Sequence, residues 1–421
     1  MRRSVVAVAG AAMLASGVVG CAYPGAVASH PSVRPSSLAS SPAPIPTAAV
    51  ESSPVASLVP VVVKPPQSIG SAAQDVGDLE QFVQASATTW WATVVGNLSD
   101  QLFMMRTVDA GQHWLDVTPT SGAELHANDG EPSYVLSPDT AWLAADAEPT
   151  TPQLFRTRDG GKTWQQMGTV ADGCTLQFVD PQHGWCWTAD GAAGSMSVDI
   201  YRTEDGGATW RLISQTTGDG TPSSAGALPF GCDKSLTFTS KRIGWASSFC
   251  NGGQPYLDTS TDGGARWHPV TSVPLPVVEG GAGLSLPVVD RSDVAVASLG
   301  GLGPGVGGIS TSSDGGRSWR NQVLPAAPAN HYWNVDLVDT THWRATDGDV
   351  IMATDDAGAH WRRWTPAVSM HDEFGPMTLD FISPAIGSAR EPVANGPVWT
   401  TVDGGRTWAS VTIAAGPYVV Q

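Results

Sequence analysis

One short phrase recurs along this chain and limits what it can fold into. Thr107-x-Asp109-x-Gly111-x-x-Trp114 returns at Thr157/Asp159/Gly161/Trp164, Thr203/Asp205/Gly207/Trp210 and Ser260/Asp262/Gly264/Trp267. It returns again at Ser312/Asp314/Gly316/Trp319, Thr354/Asp356/Gly358/Trp361 and Thr401/Asp403/Gly405/Trp408. Successive tryptophans are 50, 46, 57, 52, 42 and 47 residues apart. A period of this size with turn chemistry inside each unit is the mark of a repeat architecture.

Each unit has the same order of events. A first apolar strand such as Leu176–Val179 or Leu236–Phe238 leads through a turn to a second strand centred on Trp, as at Trp90-Trp91, Trp142, Trp185, Trp245 and Trp343. The fifth and seventh units put Val294–Val296 and Gly387–Ala389 there instead. A third strand, such as Leu154–Thr157, enters the Asp-Gly turn, and the Trp opens a fourth. Four short strands per unit, with glycine-rich turns and no helical period, specify a propeller blade. The chain is expected to be all-β, a seven-bladed β-propeller of four-stranded antiparallel blades preceded by a disordered tether.

The residue types of the phrase explain its place. An Asp oxygen caps N–H groups of its own turn, and Gly supplies positive φ. The Ser or Thr hydroxyl two residues earlier closes the same knot, while the Trp packs over the hairpin. Asp109, Asp159, Asp205, Asp262, Asp314, Asp356 and Asp403 are therefore read as structural.

Charge removes one class of partner. The net charge is −17, with 22 basic residues against 39 acidic ones. No basic stripe is present, so nucleic acid is not an expected ligand.

The N-terminus reads as an export signal over residues 1–20: Arg2-Arg3, an apolar run from Val5 to Val19, then Gly20-Cys21. Fifteen apolar residues are too few for a comfortable span, which takes about 20. Val18-Val19-Gly20-Cys21 resembles a bacterial lipoprotein signal, which implies lipidation of Cys21 and a mature chain anchored outside the cytoplasmic membrane. A plain secretory signal with an incidental Cys is the alternative. Residues 21–75 are rich in Pro, Ser, Ala and Val and almost uncharged, a composition that does not order itself. As a coil such a linker spans roughly 40 Å. The propeller is assigned to residues 79–421.

Four further cysteines, Cys174, Cys186, Cys232 and Cys250, form an even set in an exported chain, and three pairings are open. Alignment of the repeats favours Cys174–Cys186 and Cys232–Cys250, each bracketing one hairpin. Metal binding is the runner-up, against which the lack of a C-x-x-C spacing counts.

The phrase resembles the Asp-box, or BNR, repeat over about residues 79–415. That family includes sialidases, sortilin-type receptor propellers, some glycoside hydrolases and photosystem II assembly factor-like propellers, and these short blades look most like the last. The resemblance implies that the Asp-boxes are scaffold on the turn between third and fourth strands. It would also place ligands at the opposite mouth.

Candidates for that mouth come from the unrepeated segments. They are Glu124–Glu131 with His126 and Asp129, then His331, Tyr332 and Trp333, and then His371, Asp372 and Glu373. Arg344, Arg390 and Glu391 follow second strands and are assigned to the same face. His331–Trp333 is either a stacking platform or blade-edge core. The His371–Glu373 run is read as a polar loop and not a metal cluster; no metal or cofactor is expected. The glycine-rich stretch 299–308 lacks the Lys-Ser/Thr ending of a phosphate loop and is read as rim. A sialidase would need three arginines on a carboxylate, and the Arg-Ile-Pro phrase of that family is missing. Arg106, Arg156 and Arg202 share one repeat position near the Asp-box, and Arg242 and Arg291 fall in hairpin turns. No catalytic residue is assigned. The expectation is a monomeric, non-catalytic binding or assembly module for a protein or glycan partner, tied to the membrane only by its lipid; the alternative is a glycoside hydrolase.

Overall fold

The computed structural model describes residues 60–62, 77–96, 101–120, 124–126, 133–146, 152–191, 196–218, 223–250, 254–271, 273, 282–300, 308–324, 333–371, 375–391, 397–411 and 413. No helix occurs among them, and none is long and apolar enough to cross a membrane. The chain is all-β, and its strands form consecutive four-stranded antiparallel meanders.

The first blade comprises Gly77–Gln84, Trp90–Gly96, Leu102–Thr107 and Leu115–Asp116. The second comprises Ser133–Ser137, Thr140–Ala145, Gln153–Thr157 and Thr163–Thr169. The third runs Thr175–Phe178, Gly184–Asp190, Ser197–Thr203 and Arg211–Gln215. Next come Asp233–Phe238, Gly244–Cys250, Leu257–Ser260 and His268–Pro269. The fifth blade is Val288–Asp290, Asp293–Gly300, Gly308–Ser312 and Arg320–Val323. Blade six is Asn334–Leu337, Trp343–Thr346, Ile351–Thr354 and Arg362–Trp364. The last is Thr378–Phe381, Gly387–Arg390, Val398–Thr401 and Ala409–Val411. A short strand, Ala282–Leu284, pairs with both Gly244–Cys250 and Asp293–Gly300 and stitches blades four and five together.

Apolar packing joins each blade to the next, because the inner strands of the sheets are buried on both faces while the outermost strands are largely exposed. Trp142 and Leu154 of blade two pack on Leu176 and Phe178 of blade three. Trp185 and Ile200 then pack on Leu236 and Phe238 of blade four. Ile351 of blade six meets Leu379 and Phe381 of blade seven. The final seam closes the circle: Val398, with Val411 and Ile413, packs against Phe82, Trp90 and Trp114 of the first blade. This circular order of sheets is a β-propeller.

The recurring turns have one geometry. The hydroxyl of Thr107 or its counterpart donates to the Asp Oδ1 at 2.8–2.9 Å and accepts from the second Gly N–H at 2.8–3.1 Å. The same Oδ1 accepts a backbone N–H four residues on at 2.8–2.9 Å. The glycine is needed at Gly161, where φ is +82° and an added Cβ would lie 2.6 Å from the Val117 side chain. In blades one and six Ala110 and Ala357 replace the preceding Gly and still adopt positive φ, +59° and +54°.

Two disulfides, Cys174–Cys186 and Cys232–Cys250, staple the first hairpins of blades three and four. Such bonds persist in oxidising, extracytoplasmic surroundings. One piece of the segment expected to be a structureless tether is instead a strand: Pro60–Val62 pairs antiparallel with Thr163–Gln165 on the outer edge of blade two. Cys21, the leader and the rest of the tether lie outside the described residues.

Candidate functional site

The Asp-box turns and the first-hairpin turns of all the blades share one rim. A backbone N–H of each Asp-box turn donates to its own blade's first-hairpin carbonyl, as Gly160 to Asp139 at 3.0 Å and Gly404 to Ala385 at 2.8 Å. The Asp-box carboxylates are thus committed to local hydrogen bonds. Those bonds, chiefly with the N–H and side chain of His113 and of His360, hold Asp109 and Asp356 down to about 2.

Beside this rim a second repeat device bolts neighbouring blades. In the first three blades a Trp on the second strand faces an Arg on the third: Trp91 with Arg106, Trp142 with Arg156, Trp185 with Arg202. In blades two and three the ring stacks on a Phe of the next blade, Trp142 on Phe178 at 3.8 Å and Trp185 on Phe238 at 3.9 Å between centroids. Its indole N–H donates to the next Asp-box, Trp142 to Gly206 O at 3.0 Å and Trp185 to Gly263 O at 2.8 Å. The arginine donates to the next blade's hairpin turn, Arg106 to Pro138 O and Arg156 to Pro181 O, each at 3.1 Å. Arg106 and Arg156 are inter-blade fasteners, whereas Arg202 pairs with Glu204 of its own blade.

Blades four, five and seven carry Thr259, Thr311 and Thr400 at the position of that arginine, and blade six departs further. Its cross-strand pair is Arg344 with Ala353. Arg344 lies over the Phe381 ring at 5.6 Å, where blades two and three stack an indole, and its Nη2 donates to Pro384 O at 2.6 Å. One arginine does both jobs, and the residue facing it is the small, buried Ala353. An open-sided cavity of about 320 Å³ lies beside them, bordered by Arg344, Ala353, Asp355, Arg362, Trp364 and Arg406. Arg344, with its side chain only 3% exposed, and Arg362 both pair with Asp355. Trp364 donates its N–H to Gly405 O at 2.8 Å.

This placement corrects one assignment made from sequence and decides between two alternatives left open by it. Arg344 belongs to the Asp-box rim and not the opposite mouth, because it sits at the start of its strand, directly after the hairpin turn. Trp333 is no exposed platform: it is 6% exposed and packs with Trp343 and Leu337 in the seam between blades five and six. His371 does lie at the other mouth, exposed, with Nδ1 3.4 Å from Gly348 O. Arg390 and Glu391 are half-buried where the second strand of blade seven ends. His126 is half-buried between Gln101 of blade one and Asp146 of blade two, with Glu124 exposed beside it. His331, Tyr332, Asp372, Glu373 and Asp129 lie outside the described residues. Arg344, His371, Arg390 and Glu391 are therefore split between two rims.

Sequence reading missed the buried ionisable groups, which sit mid-strand where they look like ordinary alternation. Asp336 of blade six accepts the Phe381 N–H of blade seven at 2.7 Å. Gln177 accepts the Phe238 N–H in the same manner, also at 2.7 Å. Burial pushes Asp336 well up, with Asp380 adding to it, and pushes Asp380 up to about 6 against the pull of Arg390. In blade four, burial raises Asp258 to about 6 although His268 and Lys234 oppose it. Lys234 donates its ammonium to the carbonyls of Met196, Gly231 and Cys232 at 2.6–3.0 Å, and burial draws it down to about 8.

The sign of the resulting pH dependence follows from linkage. An acid raised from about 3.9 when unfolded favours the folded state while protonated, and that stability is lost as pH rises through about 6. The depressed Asp-box acids act oppositely, losing their contribution as pH falls from about 4 towards 2. Below pH 7, where Lys234 is charged in both states, the melting temperature of the protein is therefore expected to peak near pH 4–5. Asp258→Asn should raise stability at pH 7.5 by about 1–2 kcal/mol while leaving it almost unchanged at pH 4.5. An equal shift at both values, read by differential scanning fluorimetry, would refute the assignment.

No family model matches the chain, and no curated protein does. Solved structures give long-range likenesses. "YCF48 bound to D1 peptide" is 16% identical, with 83% of this chain and 96% of that one covered at a TM-score of 0.45. YCF48 from Cyanidioschyzon merolae is 17% identical, with 79% and 95% covered at 0.46. The GH74 xyloglucanase from Xanthomonas campestris is 15% identical, with 79% and 60% covered at 0.43. At TM-scores below 0.5 these likenesses support no functional inference.

Proposed function

We propose that this chain is an exported, lipid-anchored, seven-bladed Asp-box propeller that acts as a non-catalytic, monomeric binding or assembly module on the outer face of a bacterial cytoplasmic membrane. The reading rests on the departure at blade six. There Arg344 faces the small Ala353 across the strands, and a cavity of about 320 Å³ lies beside them. The acid–base groups around that cavity are already committed. Asp355 is held by two arginines, Asp403 by the hydroxyls of Thr401 and Thr407, and His342 by Asp339 at 2.8 Å. A general acid or base has to reach the proton that it moves, and groups engaged in this way serve to hold a ligand. Lipidation of Cys21 draws its support from the Val18–Cys21 resemblance, and export from the disulfides as well. The partner would be a protein or a glycan.

The discriminating experiment is a turnover assay of the purified mature chain on a panel of aryl glycosides. No hydrolysis above the buffer rate is expected. Hydrolysis that disappears in Glu391→Gln or Glu373→Gln would replace this reading with a glycoside hydrolase.

A further inference from the structure

We propose that the cavity between blades six and seven is an oxyanion-binding site, taking a carboxylate, phosphate or sulfate group carried on its ligand. The proposal names the ligand chemistry of the binding module and rests on that reading. Three observations converge on it.

The first is the vacancy itself. Blades one to three fill the corresponding slot with the side chain of Arg106, Arg156 or Arg202, and blades four, five and seven place Thr259, Thr311 and Thr400 there, whereas blade six has only the methyl group of Ala353. Because Arg344 already supplies the Phe381 and Pro384 contacts of the missing pair, the seam needs nothing further there.

The second is charge. Three guanidinium groups, from Arg344, Arg362 and Arg406, border the cavity against the two carboxylates of Asp355 and Asp403. The excess is one positive charge, on a chain whose net charge is −17. Asp355 is shared by Arg344 and Arg362, and Asp403 is occupied inside its own turn. The Arg406 guanidinium makes no ion pair among the described residues.

The third is the direction of the remaining hydrogen bonds. The carbonyls at the cavity already have donors: Pro384 O takes Arg344, and Gly405 O takes both Trp364 and Trp408. The Trp364 N–H is used in the same contact. Most of what remains to meet a ligand is guanidinium N–H, which donates and cannot accept. A site rich in charged donors suits an acceptor-only group, and planar guanidinium suits oxyanions in particular. A neutral sugar, which presents donors as well as acceptors, is matched less well.

The test titrates the full mature chain with inorganic phosphate, sulfate and glucuronate, holding ionic strength constant with sodium chloride. Trp364 emission and calorimetry provide the readouts. Saturable binding is expected in the wild type, at least tenfold weaker in Arg406→Gln and lost in Ala353→Arg, whose side chain refills the slot as in blades one to three. Arg362→Gln is the second variant should Ala353→Arg fold poorly by circular dichroism, and it too should weaken binding. Tighter glucuronate binding assigns the site to uronate-bearing saccharides, whereas tighter phosphate or sulfate binding assigns it to phosphorylated or sulfated groups; either outcome supports the proposal. Lack of saturation with every anion, or unchanged affinity in the variants, overturns it. If no anion binds and no glycoside is hydrolysed, the binding-module reading survives without this site. Glycoside turnover removes that reading whatever the anions do.

Discussion

Trp142→Ala is expected to destabilise the propeller by about 3–5 kcal/mol, the range for deleting a fully buried indole. Trp142 is 0% exposed and stacks on Phe178 with ring planes 5° apart. It also donates its N–H to Gly206 O. The substitution therefore removes packing, an aromatic pair and an inter-blade hydrogen bond at one seam, and leaves Gly206 O without that donor. Trp319 is the contrasting case. It is half-buried, and its N–H donates only to Gly316 O of its own turn, at 3.0 Å. Trp319→Ala should cost roughly half as much. Urea unfolding of the two variants checks the difference. Equal losses would mean that the second-strand Trp is no special fastener, and with it would go the account of the blade-six vacancy.

Loss of either disulfide should follow as the next largest effect. The bridges close spans of 12 and 18 residues. Loop-closure entropy at those lengths gives roughly 2–4 kcal/mol for each bridge. The larger share should come from Cys232–Cys250, because its loop is longer. That bridge should also yield first to reductant, since Cys232 is half-buried while Cys174 and Cys186 are at most 1% exposed. Thermal melts of Cys232→Ala/Cys250→Ala and Cys174→Ala/Cys186→Ala, with mass-spectrometric counting of free thiols during graded reduction, test both statements. A melting temperature unchanged in both double variants would show that the blades need no staples.

Whatever depends on neighbours within one blade was legible in the chain. The Asp-box phrase spans eight residues, and its hydrogen bonds close inside that span, so Thr107, Asp109 and Gly111 reveal their partners by spacing alone. Hairpin turns such as 180–184 were legible for the same reason: Asp180 caps the N–H groups of Gln182 and His183 a few residues away. Asp258, Asp336 and Asp380 were not. Their environments come from a facing blade, so a polar residue mid-strand gave no sign of burial. Trp333 misled in the opposite sense, because an aromatic cluster beside a polar loop reads alike whether it faces solvent or a seam. The strand at Pro60–Val62 was hidden by the proline-rich composition around it, since its partner is an edge about a hundred residues distant.

The sequence by itself determined the repeat, the β class, the shared turn and the favoured cysteine pairing, because each is encoded by contacts inside one unit. Only the tertiary structure decided which rim each candidate residue occupies, which carboxylates lose water, and where the Trp–Arg fastening fails. Those properties arise at seams between units, where residues some 35 to 50 positions apart, such as Trp142 and Phe178 or Arg344 and Pro384, meet across sheets. Strand alternation tells which residues share a face, but not what the neighbouring blade puts against it. The exchange of Trp and Arg for Arg344 and Ala353 is written plainly in the chain, yet it becomes a cavity only once blade seven stands beside blade six.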